Sequence, residues 1–529
     1  MPPVFRPLAT IYLVLATLLF AAVTWRALAY ERIGFTEDMA LSMAVADAAL
    51  HGEPILLGPP SHTGGRHLGP IGYWWVMGAK ELGGTNYGAI VVIGGLEALA
   101  LLGVAWLAAS LAPEGLSAFA AGSALLCASA RYATLLSYPW HNNFLLVFGT
   151  LLILAAWHAW RGGRAGYALT ILCGSILIQF HYSSLPFVAI LLLALTWYRR
   201  KEGLQALGLK DFVSVVFWAI TFLSWLPLLF YQLRYPGALA RTFGPHTTLA
   251  TAHSGFVAAK HEVEFFLKLF TLGSAVFPSS WSGATREHLT TLLLLACAAL
   301  LAYGIFRAKP APRYFLLTLV IASAAYVPAF AWLPPPLFQS YLFTLLPLPV
   351  LFMGIAASSA LLFVAEGGIL LLRVLSGAVF ALWLLVSVRD AEGAITKAAF
   401  RPMWNSLKHG EEIAAIINND SGGQRIELLP PQTQSKIMRG VFLYLLGPQY
   451  YPQIEYWNEL AEIPKSPAPQ SSAEYAYFMA CPRLQKRDFT PIETQIASQG
   501  WEWYHEVSTA SCTTCSQCML FRYRRAEKK

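Results

Sequence analysis

The chain has 529 residues, of which 56% are hydrophobic and only 12% charged, whereas about a quarter of the residues of an ordinary soluble domain carry a charge. This composition excludes an ordinary soluble protein and indicates an integral membrane protein. The formal net charge of +8 does not indicate nucleic acid as a partner, because many of the basic residues stand in short clusters between apolar segments.

Apolar segments long enough to cross a bilayer as helices recur up to residue 388. The first covers about residues 8–28, and a cleaved signal peptide is the alternative interpretation, because Ala27-Leu28-Ala29 is typical of a cleavage site. Together the segments predict a polytopic α-helical membrane protein with about eleven transmembrane helices. The further spans are predicted at about 89–111, 115–131, 142–158, 165–181, 184–198, 212–231, 289–306, 314–333, 338–362 and 367–388.

Beyond residue 388 the composition changes to a mixture of charged, polar and aromatic residues in soluble proportion. The change predicts two parts, a transmembrane domain over residues 1–388 and an extracytoplasmic α/β domain over residues 389–529. Periodicity and β-propensity predict the elements of the second part. Its helices are expected at 411–418 and 494–499, and its strands at 425–429, 475–480 and 519–524.

Basic residues in three connections between the predicted spans indicate the orientation of the chain. These connections lie at 161–164, 199–210 and 307–313, and all three fall on one side of the membrane. The positive-inside rule makes that side cytoplasmic. The C-terminal domain is then expected outside, together with the loops at 29–88, 132–141, 232–288 and 334–337.

Four of the seven cysteines, Cys481, Cys512, Cys515 and Cys518, stand in the C-terminal domain. Outside the cytoplasm such cysteines are expected to form disulfides, and a zinc site is the alternative. Four cysteines allow three pairings, between which the sequence does not choose.

Two adjacent acidic residues, Glu37 and Asp38, follow the first predicted span. Carboxylates beside a bilayer are costly unless they stay near water or cations, so the pair indicates a functional site at the membrane surface. The alternative is that the two acids merely begin a helix for which Thr36 is the N-cap. The stretch up to Gly52 predicts an amphipathic helix at the membrane interface, and the aromatic segment 67–75 predicts a second one.

The order of these features resembles the glycosyltransferase C superfamily, in particular the branch that holds protein O-mannosyltransferases and the aminoarabinose transferase of lipid A. That family carries an Asp-Glu pair about fifteen residues before a glycine, and here Glu37 stands fifteen positions before Gly52. Glu37 thus matches the family Asp, and Asp38 the family Glu, with the order of the pair inverted. The alignment favours Glu37 as the catalytic carboxylate, whereas the shorter and more rigid side chain favours Asp38.

Three further segments resemble the same family over an architecture that covers roughly residues 8–390. Residues 138–143 follow the third span, residues 181–184 follow the fifth, and residues 338–342 precede a Leu-Pro pair. The family places polar residues that face a cavity at the first two, and a basic residue before the tyrosine of the last, where this chain has Ser340. The C-terminal domain resembles the extracytoplasmic domains that these enzymes often carry.

The resemblance implies transfer of a hexosyl or pentosyl group, with inversion, from a polyprenyl-phosphate sugar to an acceptor hydroxyl of a lipid, glycan or protein. The reaction is expected on the outer face of a bacterial inner (plasma) membrane. Glu37 or Asp38 would serve as general base, and cations would stabilise the lipid phosphate that leaves. The substrate-binding candidates are Arg66, His67, Tyr73, His141, Asn142, His181, Tyr182, Arg234, Arg241, Lys260, His261 and Tyr341.

Several alternatives stay open at this point. His141 and His181 have a second interpretation as snorkelling residues at the interface, and the basic residues of loop 232–288 as solvated surface charges. A divalent metal that bridges the acidic pair to phosphate is compatible with the sequence, although no ligand set requires one. Two other classes of protein remain, a secondary transporter and a non-catalytic scaffold for envelope assembly. A transporter is expected to carry charges inside its spans and to have repeated halves, whereas here the spans carry few charges apart from Glu97 and Arg373, and no halves repeat.

Overall fold

The structure is a computed structural model. It describes residues 5–59, 69–136, 144–236, 283–325, 344–366 and 370–396. In the C-terminal part it describes residues 407–422, 424, 426–428, 441, 443–448, 450, 475–480, 501–507 and 519–525.

Helices make up almost all of the described residues up to 396, and each predicted span has a matching helix, with most ends within a few residues of the prediction. The helix for the span predicted at 314–333 ends earlier, at Ala324, and the last one runs on to Thr396. Another difference concerns the span predicted at 338–362, whose helix begins only at Pro347; residues 338–343 lie outside the described part. The helices are α1 (Phe5–Ala27), α2 (Glu37–Leu50), α3 (Ile71–Gly83), α4 (Asn86–Leu111), α5 (Ser117–Leu136), α6 (Phe144–Trp160), α7 (Gly166–Phe180), α8 (Leu185–Tyr198), α9 (Phe212–Arg234), α10 (Gly283–Arg307), α11 (Pro310–Ala324), α12 (Pro347–Glu366) and α13 (Leu370–Thr396).

The arrangement is that of a polytopic helical membrane protein. Within the described residues, four helices combine the length and apolarity needed to cross a bilayer, namely Pro7–Ala27, Asn86–Leu111, Phe212–Arg234 and Pro347–Glu366. On α9, the large apolar side chains of Phe212, Phe222 and Leu223 are exposed, which is expected of a helix that faces hydrocarbon rather than water. The predicted total of about eleven spans stays a prediction.

Small residues let the central helices of the bundle approach one another closely. Helix α5 packs against α1, α4 and α12. A Cβ atom added to Gly354 of α12 would lie 2.7 Å from the backbone oxygen of Ala120, and one added to Gly122 would lie 2.7 Å from the ring of Tyr12. Glycine at 354 thus lets two helices touch backbone to backbone, as is common in transmembrane bundles, and glycine at 122 leaves room for the Tyr12 ring.

The two ends of the bundle hold different connections, because successive helices alternate in direction. One end holds the basic connections, where Arg199 is paired with Glu202, and Lys309 lies 3.3 Å from Glu114. The bond from Arg199 holds the pKa of the Glu202 carboxyl below its ordinary value. The opposite end holds the loop with α2 and α3, the turn between α7 and α8, and the C-terminal part of the chain.

The first loop folds into two helices, as expected, but α2 is not the amphipathic interfacial helix that the sequence predicts. All eight residues from Met39 to Ala46 are at most 4% exposed, so α2 is enclosed by protein on every side. Its many small side chains, such as Ala40 and Ala44, explain why it fits there. Helix α3 does have one exposed face, on which Leu82 is 80% exposed.

The C-terminal part contains helix α14 (Leu407–Ser421) and strands β1 (Ile426–Leu428), β2 (Tyr475–Ala480), β3 (Trp501–Val507) and β4 (Met519–Arg525). The strands form one sheet in the order β1-β2-β4-β3, in which β1 and β2 are parallel and the other pairs antiparallel. The first helix and the three strands expected from the sequence are present, whereas β3 was not expected. The helix expected at 494–499 and the four cysteines lie outside the described residues.

One ion pair fastens α14 to the face of the sheet. Arg522 of β4 donates to the Asp420 carboxylate at 3.1 Å and to the Asp420 backbone oxygen at 3.0 Å. Tyr477 of β2 donates to the same carboxylate at 2.5 Å. Burial and the bond to Asp420 raise the pKa of the Tyr477 hydroxyl, which stays protonated. The predicted domain boundary at residue 388 stays a prediction; α13 continues past it to Thr396.

Candidate active site

The acidic pair begins a helix. Thr36 has an extended backbone, and its side-chain oxygen accepts a hydrogen bond from the backbone N–H of Met39 at 3.3 Å. Thr36 is therefore the N-cap, and Glu37 and Asp38 occupy the first turn of α2, where the helix dipole favours negative charge. The capping interpretation is confirmed as geometry, because the backbone of the pair lies in the first turn of a capped helix.

The surroundings of the pair are mostly closed. Ile33 and Phe35, just before the pair, are fully buried, whereas Asp38 is half-buried. The hydroxyl of Ser42, one turn further on, donates to the backbone oxygen of Asp38 at 2.8 Å. Asp38 thus sits at a boundary between protein interior and exterior. The Glu37 side chain lies outside the described part.

Tyr73, one of the substrate-binding candidates, is buried where α3 meets the end of α7. The contact is close: a Cβ atom on Gly69 would overlap the Gln179 side chain, and one on Gly72 would lie 3.3 Å from the Phe180 ring. The Gln179 amide nitrogen in turn donates to the hydroxyl of Ser224 on α9 at 2.9 Å. Tyr73 is only 1% exposed, so any ligand that it touches must enter the protein.

The turn between α7 and α8 holds His181 and Tyr182. His181 is 3% exposed, its Nδ1 accepts from the backbone N–H of Ser183 at 3.3 Å, and its ring stacks on Tyr182 at 5.3 Å between centroids. Such burial contradicts the snorkelling interpretation of His181. The next residue, Ser184, lies with its hydroxyl 2.5 Å from that of Thr344, so this turn is joined to the start of α12.

Arg234 ends α9 at the same end of the bundle as the acidic pair. Its side chain is exposed, and its guanidinium lies 5.6 Å from the ring centroid of Tyr235. Arg234 is therefore a surface cation rather than one enclosed by protein.

The other predicted site residues lie outside the described part of the chain, so their positions stay predictions. They are Arg66, His67, His141, Asn142, Arg241, Lys260, His261 and Tyr341. Among the residues that the structure does describe, no three His, Cys, Asp or Glu side chains form a group that could hold a metal ion.

The structure also places residues at this end that the sequence analysis did not single out. Lys80, near the end of α3, is paired with Asp47 of α2 and donates to the Tyr444 hydroxyl at 2.8 Å. That hydroxyl donates to the Asn86 side chain at 2.6 Å. A lone lysine near the end of an apolar helix was the only signal for this group, because Tyr444 lies 364 residues further along the chain.

Comparisons with known proteins give a match by structure only. No protein-family model matches the chain, and no curated protein matches it by sequence. The crystal structure of ArnT from Cupriavidus metallidurans bound to undecaprenyl phosphate matches with a TM-score of 0.56 and 13% identity, over 97% of this chain and 98% of that chain. The apo structure of the same protein matches over the same shares with a TM-score of 0.56 and 14% identity.

A likeness of this extent covers the helical bundle and the C-terminal part together. At 13% identity it establishes the fold, and it reports nothing by itself about individual site residues. The chain thus has the fold of ArnT along nearly its whole length.

Proposed function

We propose that this chain is a membrane glycosyltransferase that moves a hexosyl or pentosyl group from a polyprenyl-phosphate donor to an acceptor hydroxyl. The observation that carries the proposal is the likeness, over 97% of the chain, to ArnT, a protein crystallised with undecaprenyl phosphate. The acidic pair at the start of α2 and the buried polar residues at the same end of the bundle supply the groups that such a transfer needs.

The reaction uses one carboxylate of the pair as general base. It accepts the proton of the acceptor hydroxyl while the hydroxyl oxygen forms a bond to the anomeric carbon of the sugar. The bond between that carbon and the phosphate oxygen breaks, and the polyprenyl phosphate leaves with the electron pair. Attack from the face opposite the leaving group inverts the anomeric configuration. Asp38 is half-buried in the first turn of a capped helix, which supports it in this role.

The leaving phosphate gains negative charge and requires cations close by. Arg234 is the one candidate cation of our set with a described position, at the same end of the bundle as Asp38. Arg66, His67, Arg241, Lys260 and His261 are proposed for the same role from their places in the sequence. A divalent metal could act beside them, with the acidic pair as its protein ligands.

The reacting end of the bundle is proposed to face outward from a bacterial inner membrane, with the C-terminal domain on that side. The opposite end carries Arg161, Arg164, Lys210 and Lys309, and basic loops are typical of the cytoplasmic side. An outward site suits a donor whose sugar is carried on a lipid, because the lipid tail stays in the bilayer while the phosphate stands at its surface.

The proposal is tested with the full-length protein in lipid nanodiscs. Binding of radiolabelled undecaprenyl phosphate is measured first, followed by its release from a panel of undecaprenyl-phosphate-linked hexoses and pentoses with lipid, glycan and peptide acceptors. We expect saturable binding and acceptor-dependent release with at least one donor. A wild-type protein that neither binds the lipid nor releases it from any donor overturns the proposed function.

Single variants then identify the base. The rate is expected to fall by about 10²–10⁴-fold in whichever of the two variants, Asp38→Asn or Glu37→Gln, removes the general base. The matched control is Glu114→Gln, which neutralises an acid that is 84% exposed at the other end of the bundle and should leave the rate unchanged. If both Asp38→Asn and Glu37→Gln retain the full rate, the assignment of the site is wrong.

A further inference from the structure

The C-terminal part of the chain touches the first loop just before the acidic pair. The backbone N–H of Leu407 donates to the backbone oxygen of Ile33 at 2.9 Å, and the Tyr30 hydroxyl donates to the Glu411 carboxylate. These contacts join the start of α14 to the short connection between α1 and α2. The segment that leads into Glu37 is therefore held by residues from the other end of the sequence.

A second contact touches the same loop at the far end of α2. Tyr444 accepts from the Lys80 ammonium at 2.8 Å, and Lys80 is also paired with Asp47 in the last turn of α2. The Tyr444 hydroxyl donates to Asn86 at the start of α4 at 2.6 Å. The ring of the same tyrosine lies 5.9 Å from that of Phe35, two residues before Glu37. Tyr444 thus touches the residue that precedes the acidic pair by two positions directly, and the far end of α2 through Lys80.

The hydroxyl of Tyr444 makes its hydrogen bonds in a largely buried environment. The side chains of Lys80 and Asp47 are only 13% and 22% exposed, and Tyr444 is 4% exposed. A charge-assisted hydrogen bond in such an environment is shorter and stronger than one in water. The hydroxyl donates a hydrogen bond to Asn86 and accepts one from Lys80. Substitution by phenylalanine therefore removes both bonds at once.

Apolar packing and polar contacts together hold helix α2. From Met39 to Ala46 its side chains are buried, large ones such as Met43 beside small ones such as Ala44. Apolar packing has little directionality. The hydrogen bonds beside the two ends of α2 add a directional constraint to that packing.

We propose that Tyr444 is a positioning residue, which holds α2 in the place where its first turn presents a carboxylate to the reacting hydroxyl. This inference depends on the proposed function. Tyr444 itself contacts no reacting group and acts through Lys80, Asp47 and Phe35. A displacement of the base by about 1 Å lowers the rate of a positioned reaction by as much as about 10²-fold, so the loss of one anchor is measurable.

The test compares Tyr444→Phe with Tyr450→Phe in full-length protein in nanodiscs. Tyr450 is a matched control, since it is 3% exposed in the same part of the chain and its hydroxyl accepts only a backbone N–H bond from Ile426 at 3.3 Å in the described structure. Two quantities are measured: amide hydrogen exchange of α2, and kcat and KM with the undecaprenyl-phosphate-linked sugar that the wild type uses.

For Tyr444→Phe we expect faster exchange over residues 39–46 and a kcat lowered by about 10-fold, with the KM for the donor and the pH profile unchanged. For Tyr450→Phe we expect wild-type exchange in α2 and a wild-type kcat. The substituted ring in Tyr444→Phe would still pack against Phe35, so any loss in that variant reports the hydroxyl alone.

The two proposals fail in distinguishable ways. If Tyr444→Phe matches Tyr450→Phe in α2 exchange or in kcat, or if the loss appears in KM, Tyr444 is not a positioning residue and the glycosyltransferase proposal stands. If the wild type transfers no sugar from any donor, the proposed function fails. The proposed role of Tyr444 in positioning the base then fails with it.

Discussion

The hydroxyls of Ser184 and Thr344 lie 2.5 Å apart, although 160 residues separate them in the chain. Both side chains are fully buried, and their bond ties the start of α8 to the residues that lead into α12. Two spans that are distant in sequence are thus joined at the end of the bundle that carries the acidic pair.

The hydrogen bond between Ser184 and Thr344 predicts how single and double substitutions change the free energy of unfolding. Ser184→Ala leaves the Thr344 hydroxyl buried without this partner and should lower the free energy of unfolding by about 1 kcal/mol. Thr344→Val should do the same, whereas the double variant should lose less than the sum of the two. Unfolding of the purified protein by titrated detergent measures all three, and strictly additive losses would contradict the predicted pairing.

The half-buried carboxyl of Glu411 predicts a pH dependence of stability. Burial raises the pKa of Glu411, and the hydrogen bond from Tyr30 opposes that rise without cancelling it. The folded state therefore holds the proton more tightly than the unfolded state, and the stabilisation from this group is complete below the ordinary carboxyl pKa. It is lost as the pH rises through the higher folded pKa.

Amide exchange over residues 407–421, at pH values on both sides of the ordinary carboxyl range, measures this effect. The wild type should open more readily at the higher pH, and Glu411→Gln should remove that dependence. Tyr30→Phe should shift the transition to a still higher pH, since the hydroxyl that favours the charged carboxylate is gone. The adjacent Glu412→Gln serves as control, and a wild-type slope that survives in Glu411→Gln would disprove the assignment.

The contact between Gly69 and Gln179 predicts a steric requirement. A Cβ atom at position 69 would overlap the Gln179 side chain, with its amide carbon only 2.9 Å away. Gln179 is 1% exposed and bonded to Ser224, so it has no room to move aside. Gly69→Ala is expected to lower the free energy of unfolding by about 1–3 kcal/mol, as overpacked core positions do.

The matched control for that substitution is Gly78→Ala, in the middle of α3. Nothing lies within 4 Å of a Cβ atom at Gly78, and alanine is the better helix former by about 1 kcal/mol. This variant should therefore be as stable as the wild type or more stable. Equal stabilities for the two alanine variants would show that the close contact at Gly69 is absent.

The proposed orientation is tested by labelling single cysteines with a membrane-impermeant maleimide. Leu82 of α3 is 80% exposed at the end with the acidic pair, and Leu209 is 58% exposed at the basic end. Leu82→Cys should label in intact cells, and Leu209→Cys only after permeabilisation, each above the background of the wild type. The reverse pattern would place the acidic pair in the cytoplasm and overturn the orientation.

The positions of the helices could be predicted from the sequence because apolar length alone specifies a span. The strand β3 could have been predicted as well, since Trp501, Trp503, Tyr504 and Val507 are residues that favour strands. The enclosure of α2 could not, because its small side chains fit an interface and a protein interior equally well. The hydrogen bond between Lys80 and Tyr444 could not be predicted either, since no local pattern links two residues that are 364 positions apart.

The most direct test of the central claim is the rate at which Glu37→Gln/Asp38→Asn releases undecaprenyl phosphate from the donor that the wild type uses. Both substitutions are compatible with the capped first turn of α2, and the double variant should bind undecaprenyl phosphate with the wild-type Kd. We predict a rate at least about 10²-fold below that of the wild type. A double variant that transfers sugar at the wild-type rate would contradict the account.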